Sequence, residues 1–212
     1  MKKIRILIAD DHPIVREGYK KILMSQPDMD VTGEAGNGQE VLDLIQKKDF
    51  DLILLDISMP GRSGLEILKE LKSQKPQMPV MILSIYPEEQ YAVRAFRDGA
   101  SGYLTKASTP KELISAIRKV SQGGRYVTEA LAEKLTYFLH GDVDKAPHEK
   151  LSDREYQVML LIASGKTVTQ AAEELCLSVK TISTYRRHIL EKMQFSTNAE
   201  ITMYAIQNKL LG

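Results

Sequence analysis

The amino-acid sequence predicts two domains: a doubly wound α/β domain on a five-stranded parallel sheet, followed by an all-α domain. Residues 1–122 alternate short apolar runs with helical patterns five times, the order that builds a parallel sheet with helices on both faces. The runs are apolar at successive positions, Leu52-Ile53-Leu54-Leu55 above all, as strands buried on both sides require. After Gly123-Gly124 the β-type runs stop, and Leu151 to Leu211 reads as helix throughout.

In order, the strand runs are Ile4 to Ile8, Val31 to Ala35, Leu52 to Leu55, Val80 to Leu83 and Gly102 to Leu104. The helical stretches between and after them are Pro13 to Ser25, Gln39 to Lys47, Gly64 to Lys72, Glu88 to Asp98 and Pro110 to Gln122. Thr128 to Leu139 reads as one amphipathic helix, and His140 to Lys150 is polar, with Gly141 and Pro147, which marks a linker. In the second domain Ser152 opens a capping box with Glu155. Thr167 caps a second helix with Gln170 three residues on, Ser178 a third, and Ser196 or Thr197 a fourth.

Composition narrows the class. The 212 residues are 43% hydrophobic and 27% charged, with 29 basic against 28 acidic side chains, so the net charge of +1 points to no partner by itself. Locally the balance differs: Ser178 to Met193 holds Lys180, Arg186, Arg187 and Lys192 against Glu191 alone. A basic helix on a near-neutral chain suits a small, directed nucleic-acid contact. The one cysteine, Cys176, excludes an intramolecular disulfide and suits a reducing compartment; its place at the apolar side of a helix end reads as a small core residue. The basic start Met-Lys-Lys leads into a short apolar run ending in aspartates, a buried strand rather than a signal peptide. No run approaches membrane-spanning length, so no membrane contact and a cytoplasmic location are expected.

Strand ends place chemistry, because ligands of such sheets bind at the carboxyl edge. The first strand runs into Asp10-Asp11, the third into Asp56, the fourth into Ser84 and the fifth into Thr105-Lys106. Three carboxylates brought together resist ionisation, and a hard divalent cation relieves them. Lys106 adds a fixed positive charge and Ser84 a hydrogen-bond donor. These parts suit phosphoryl transfer to a carboxylate, which needs charge neutralisation and positioning. Asp56, ending the most apolar strand before the turn Met59-Pro60-Gly61, is the candidate nucleophile.

Ile8-Ala9-Asp10-Asp11-His12, Leu54-Leu55-Asp56-Ile57-Ser58-Met59-Pro60-Gly61 and Gly99-Ala100-Ser101-Gly102-Tyr103-Leu104-Thr105-Lys106 resemble the receiver domains of two-component response regulators, a flavodoxin-like fold, over residues 2–122. The resemblance implies that a sensor histidine kinase phosphorylates Asp56. It implies a magnesium ion (Mg2+) held by Asp10, Asp11, Asp56 and the Ser58 carbonyl, and phosphoryl contacts from Ser84 and Lys106. Tyr103 takes the family's switch-aromatic position and is expected to turn inward behind Ser84 on phosphorylation. Where many receivers have proline after the lysine, this chain has Ala107, so a trans bond is expected there.

The second domain carries its own motif. A short helix from Thr167 to Leu175, a break at Cys176-Leu177 and a basic helix from Ser178 form a helix-turn-helix, whose second helix lies in the major groove. Ile182, Ile189, Leu190 and Met193 would face its core. Leu151-Ser152-Asp153-Arg154-Glu155, Ile162-Ala163-Ser164-Gly165-Lys166 and Leu177-Ser178-Val179-Lys180-Thr181-Ile182 resemble the LuxR-type output domain. The whole chain thus resembles the NarL/FixJ family, and Lys180 to Arg187 its GacA/UvrY-like branch. The resemblance implies base-facing Ser183, Thr184 and Arg187, with Lys180, Thr181, Tyr185 and Arg186 near the DNA backbone. One helix-turn-helix reads only a few base pairs, so a homodimer on phosphorylation is expected, together with release of the helix beginning at Ser178 from hindrance by the unphosphorylated receiver. Val168-Thr169-Gln170-Ala171-Ala172 departs from the usual Asn-Lys-Glu-Ile-Ala, so a phosphate-contacting lysine is missing and Lys166 is the candidate to replace it. The expected division is a receiver at 1–122, a linker with one helix at 123–150, and the DNA-binding domain at 151–212.

Rival signals fail on their residues. Ser164-Gly165-Lys166-Thr167 looks like the end of a P-loop, but Leu160 stands where its first glycine belongs and the segment follows a helix. His12, His140, His148 and His188 show no metal-ligand spacing, and His12 reads as a helix-start residue. An aspartyl phosphohydrolase would need an acid/base aspartate two residues after its nucleophile, where this chain has Ser58. The expected protein is therefore a phosphoacceptor, not an enzyme.

Overall fold

The computed structural model describes residues 3–128, 131, 132 and 146–211. They belong to two compact units, Met1–Leu135 and Thr136–Gly212. The first contains strands β1 (Ile4–Ala9), β2 (Met29–Ala35), β3 (Leu52–Asp56), β4 (Val80–Ser84) and β5 (Gly102–Thr105). Helices α1 (Pro13–Met24), α2 (Gly38–Lys47), α3 (Gly64–Gln74), α4 (Glu88–Arg97) and α5 (Pro110–Ser121) alternate with them. The strands form one parallel sheet in the order β2-β1-β3-β4-β5. The winding reverses between β1 and β3, which opens a crevice above their carboxyl ends.

Every residue of β3 and β4 is buried, because both faces of the sheet are covered. Ile6, Ile8, Leu52, Leu54, Met81 and Leu83 share one core with Leu23 of α1 and Leu113, Ile117 and Val120 of α5. Leu7, Ile53, Leu55 and Ile82 alternate with them and so line the opposite face, equally buried. Each such side chain contributes about 1.5–3 kcal/mol relative to exposure, so the functional edge rests on a rigid base.

Beyond α5 the Tyr126 N–H donates to the Ser101 carbonyl at 2.9 Å, and Tyr126 bridges Gly102 as an extra, parallel edge residue. The Thr128 hydroxyl donates to the Glu88 carboxylate and accepts from the Leu131 N–H at 3.3 Å. Residues 131 and 132 are helical; the remainder of the helix expected to Leu139 lies outside the described residues, as does the stretch 140–145.

The second unit has a 3-10 turn at Pro147–Lys150 and helices α6 (Asp153–Ala163), α7 (Val168–Glu174), α8 (Val179–Met193) and α9 (Asn198–Gln207). Capping boxes start α6 (Ser152 with Glu155), α7 (Thr167 with Gln170) and α9 (Thr197 with Glu200), and the Ser178 hydroxyl caps α8. Pro147–Lys150, read from composition as linker, belongs to this unit. His148 Nδ1 lies 2.7 Å from the Tyr204 hydroxyl, and its ring packs 6.0 Å from Tyr156.

Cys176 corrects the sequence reading. It is exposed, not core. The chain leaves α7 with Cys176 in the left-handed region, φ 52°, while the Leu177 N–H reaches back to the Ala172 carbonyl at 2.9 Å. This helix-ending turn swings the residue out of the apolar stripe that its spacing suggests. In α8, Ile182, Ile189 and Met193 are buried as expected, whereas Leu190 is only half-buried.

Candidate functional site

Asp10 follows β1, Asp56 ends β3, Ser84 ends β4 and Lys106 follows β5. Parallel register brings them to one edge: the Asp10 N–H donates to the Ala35 carbonyl at 3.1 Å, and the Lys106 N–H to the Ser84 carbonyl at 2.7 Å. Asp56 is 1% and Asp10 2% exposed. The Lys106 ammonium lies between them, 2.6 Å from Asp10 Oδ2 and 2.8 Å from Asp56 Oδ2. Burial pushes the Asp56 carboxyl above its ordinary range; Lys106 opposes that and Asp10 adds to it. Burial works to lower Lys106, but Asp56 and Asp10 outweigh it and hold the ammonium above its usual value. The nucleophile candidate and its counter-ion thus form one electrostatic unit.

The loop after β3 is held in place by Gly64. A Cβ there would fall 1.9 Å from the Asp56 carbonyl oxygen, so only glycine lets α3 start this close to the carboxylate. Ser63 and Glu66 close the capping box above it.

The site can accept a cation. Asp56 Oδ1 is buried with no hydrogen-bond partner, although its sister oxygen is paired. Asp10, Asp11 and His12 present ligand atoms all within 4.8 Å of one another. Asp10 and Asp56 share the Lys106 ammonium while Asp11 lies beside them, and oxygen donors of this kind suit a hard divalent ion; the residues fit magnesium.

Tyr103 lies in the inward position behind Ser84. Its ring is already inside, 1% exposed, with the hydroxyl donating to the Tyr86 carbonyl at 2.9 Å and touching the Ser84 hydroxyl. The Tyr86 carbonyl and the Ser84 hydroxyl engage the Tyr103 hydroxyl in this inward position. The Lys106–Ala107 bond is trans, since no described peptide bond is cis.

On α8, Lys180, Ser183, Thr184 and Arg187 are exposed, and Thr181, Tyr185 and Arg186 half-exposed. Thr181 Oγ1 pairs with Ser178 Oγ at 2.8 Å, and the Thr184 hydroxyl donates to the Lys180 carbonyl at 3.0 Å. The Arg187 side chain is 67% exposed, with only a loose approach of 3.9 Å to Glu191. Arg186 Nε, by contrast, donates to Asn198 Oδ1 of α9 at 2.6 Å, and Lys166 is ion-paired with Glu174. Glu155 ties α6 to α8: it accepts from the Ser152 N–H and from Lys192 Nζ, at 2.7 and 2.6 Å.

Residues 6–118 match the family model described as the response regulator receiver domain, and residues 149–205 that of bacterial regulatory proteins of the luxR family. The chain belongs to the LuxR-type response regulators. It is 33% identical over 209 residues to response regulator GacA of Pseudomonas aeruginosa, covering 98% of each chain. It is 33% identical over 208 residues to response regulator UvrY of Escherichia coli K12, covering 98% of this chain and 95% of that one. Among solved structures it is similar to RcsB from Salmonella enterica serovar Typhimurium bound to promoter rprA in the presence of the phosphomimetic BeF3-, at 26% identity and TM-score 0.62, over 96% of this chain and 98% of that chain. It is also similar to a LuxR-family response regulator from Aurantimonas sp. SI85-9A1, at 31% identity and TM-score 0.60, over 66% of this chain and 100% of that chain.

This response regulator is thus a transcription regulator with a DNA-binding output domain, and its families are not those of catalytic enzymes. Among its described residues no helix is long and apolar enough to cross a membrane. His12, expected near the pocket as a helix-start residue, is the N-cap of α1, and its ring stands beside Asp10 and Asp11. Its extended backbone (φ −93°, ψ 107°) sets the ring against both carboxylates, a detail that no spacing rule reports.

Proposed function

We propose that Asp56 of this response regulator accepts a phosphoryl group from a sensor histidine kinase and that phosphorylation promotes DNA binding by a homodimer. We assign reception to residues 1–122 and DNA binding to 151–212, with 123–150 joining them, in the cytoplasm. The observation that carries the reading is Lys106 clamped between Asp10 and Asp56, beside a buried Asp56 Oδ1 with no hydrogen-bond partner.

Lys106 holds Oδ2 and orients the carboxylate, which leaves Oδ1 open. A carboxylate oxygen forms the new O–P bond as the N–P bond to the kinase histidine breaks and its electron pair returns to the imidazole. Ser84 and Lys106 then donate to the phosphoryl oxygens. Asp10, Asp11, Asp56 and the Ser58 carbonyl would hold magnesium, which supplies neutralisation of phosphoryl charge. The same groups support slow self-dephosphorylation. The new charge, about −1.5 to −2, falls on an edge whose ammonium, Lys106, is already engaged by two carboxylates. Lys106 must therefore redistribute its contacts, which biases β5, Tyr103 and the start of α4.

On DNA, Arg187, Ser183 and Thr184 would face base edges, with Lys180, Thr181 and Tyr185 toward the backbone. Arg186 and Lys166 would reach phosphates only after releasing Asn198 and Glu174. Incubation with acetyl phosphate and magnesium tests the assignment. Wild type should incorporate hydroxylamine-labile phosphate, while Asp56→Asn and chelated wild type should not; normal labelling of Asp56→Asn would refute it.

A further inference from the structure

His12 stands over the acidic pocket in a position that the phosphoacceptor mechanism does not use. It opens α1 without a side-chain capping bond, so its imidazole is not needed to start the helix. Its N–H donates to Asp10 Oδ1 at 2.9 Å, and the extended backbone turns the ring back over the end of β1. Nδ1 then lies 2.8 Å from Asp11 Oδ1 and 3.3 Å from Asp10 Oδ1. Ligand atoms bonded to one ion at about 2.1 Å stand roughly 3.0–3.4 Å apart, close to these separations. The rest of the ring is open, 65% exposed, which leaves room for water ligands.

A second observation points to an ion. Asp56, joined to Asp10 through Lys106, keeps Oδ1 buried with no hydrogen-bond partner. The donors grouped within 4.8 Å of one another are Asp10, Asp11 and His12, two carboxylates plus one imidazole nitrogen. Magnesium uses oxygen ligands and gains little from imidazole, whereas manganese, cobalt, nickel and zinc accept it. Carboxylates alone would serve magnesium; the imidazole is surplus to it.

We propose that His12 is a ligand of the divalent-metal site through Nδ1, and that it opens this pocket to transition ions as well as magnesium. The proposal rests on reading Asp10, Asp11 and Asp56 as the metal site. Its rival is that the ring is only a hydrogen-bond donor to the two carboxylates of the ion-free chain. A ligand contributes to metal affinity and to the metal's spectrum; a donor to the empty site contributes to neither.

Cobalt(II) distinguishes them in the full-length protein, because its visible absorption responds to a nitrogen ligand. Wild type, His12→Gln and Asp11→Asn are titrated with cobalt(II) by absorption and with magnesium by calorimetry, folding being checked by circular dichroism. His12→Gln should lose about ten- to a hundredfold in cobalt affinity, shift the band toward that of an all-oxygen site, and bind magnesium within about twofold of wild type. Unchanged cobalt affinity and spectrum in His12→Gln would overturn the proposal. Asp11→Asn should weaken both metals; if it binds both like wild type, the acidic pocket itself has been misassigned.

Discussion

Gly64 shapes the phosphoacceptor without touching a reactant. Its missing side chain leaves space for the Asp56 carbonyl, which a Cβ would meet at 1.9 Å. Backbone cannot yield as a flexible side chain does, so Gly64→Ala must push α3 away from β3. Overpacking of this kind costs about 1–3 kcal/mol or more. Denaturant unfolding of Gly64→Ala should show that loss, with slower acetyl-phosphate labelling of Asp56; wild-type stability and rate would mean the loop has freedom that this geometry denies. Residue identities at strand ends were legible, because Asp10, Asp56, Ser84 and Lys106 each follow an apolar run. Rotamers were not. Tyr103 fits strand alternation with its ring inside or outside, and only the Tyr86 carbonyl decides between them. Cys176 was misread for a related reason: helical spacing ignores the left-handed residue that ends the helix.

Among the elements, the joint between α6 and α8 makes its own prediction. Burial acts to raise Glu155, but the Lys192 ammonium and the Ser152 cap outweigh it and hold the carboxyl below its ordinary 4.5. A carboxylate depressed on folding contributes stability above the ordinary value and loses it as pH falls through the folded value. Acid below about pH 4.5 should therefore loosen the helix-turn-helix unit. Glu155→Gln should cost about 1–2 kcal/mol at neutral pH and flatten that acid loss, as hydrogen exchange at α6 and α8 amides would report. An unchanged acid profile would remove Glu155 as its cause.

On α8 itself the two neighbouring arginines should separate. Arg187 is free to reach bases, so Arg187→Ala should cost roughly 1–3 kcal/mol on the preferred DNA site and relax base choice. Arg186 braces Asn198, so Arg186→Ala should lower the unfolding midpoint and reduce the salt slope of binding by about one, with sequence preference intact. Competition binding on site variants checks both; a changed preference in Arg186→Ala alone would exchange the roles. The basic helix was legible as a charge cluster, but this division of labour was not, since Asn198 lies on another element.

For the whole molecule, the change of sequence grammar near Gly123 anticipated two units, and the sheet order follows from right-handed β-α-β crossovers. What composition could not show is that Pro147–Lys150 packs with the second unit through His148 and Tyr204, because a polar stretch and a 3-10 turn look alike. One output unit reads few base pairs. Two units held together read two half-sites and gain through effective concentration, by as much as a hundredfold or more. On the proposed function, a phosphoryl group on Asp56 governs this gain. The direct test is DNA affinity of full-length wild type and Asp56→Asn, with and without acetyl phosphate and magnesium, and with light scattering on the same samples. The donor should double the mass of wild type and tighten its binding at least tenfold, leaving Asp56→Asn unmoved in both. An equal response of the two proteins, or a labelled wild type whose DNA affinity does not change, would contradict it.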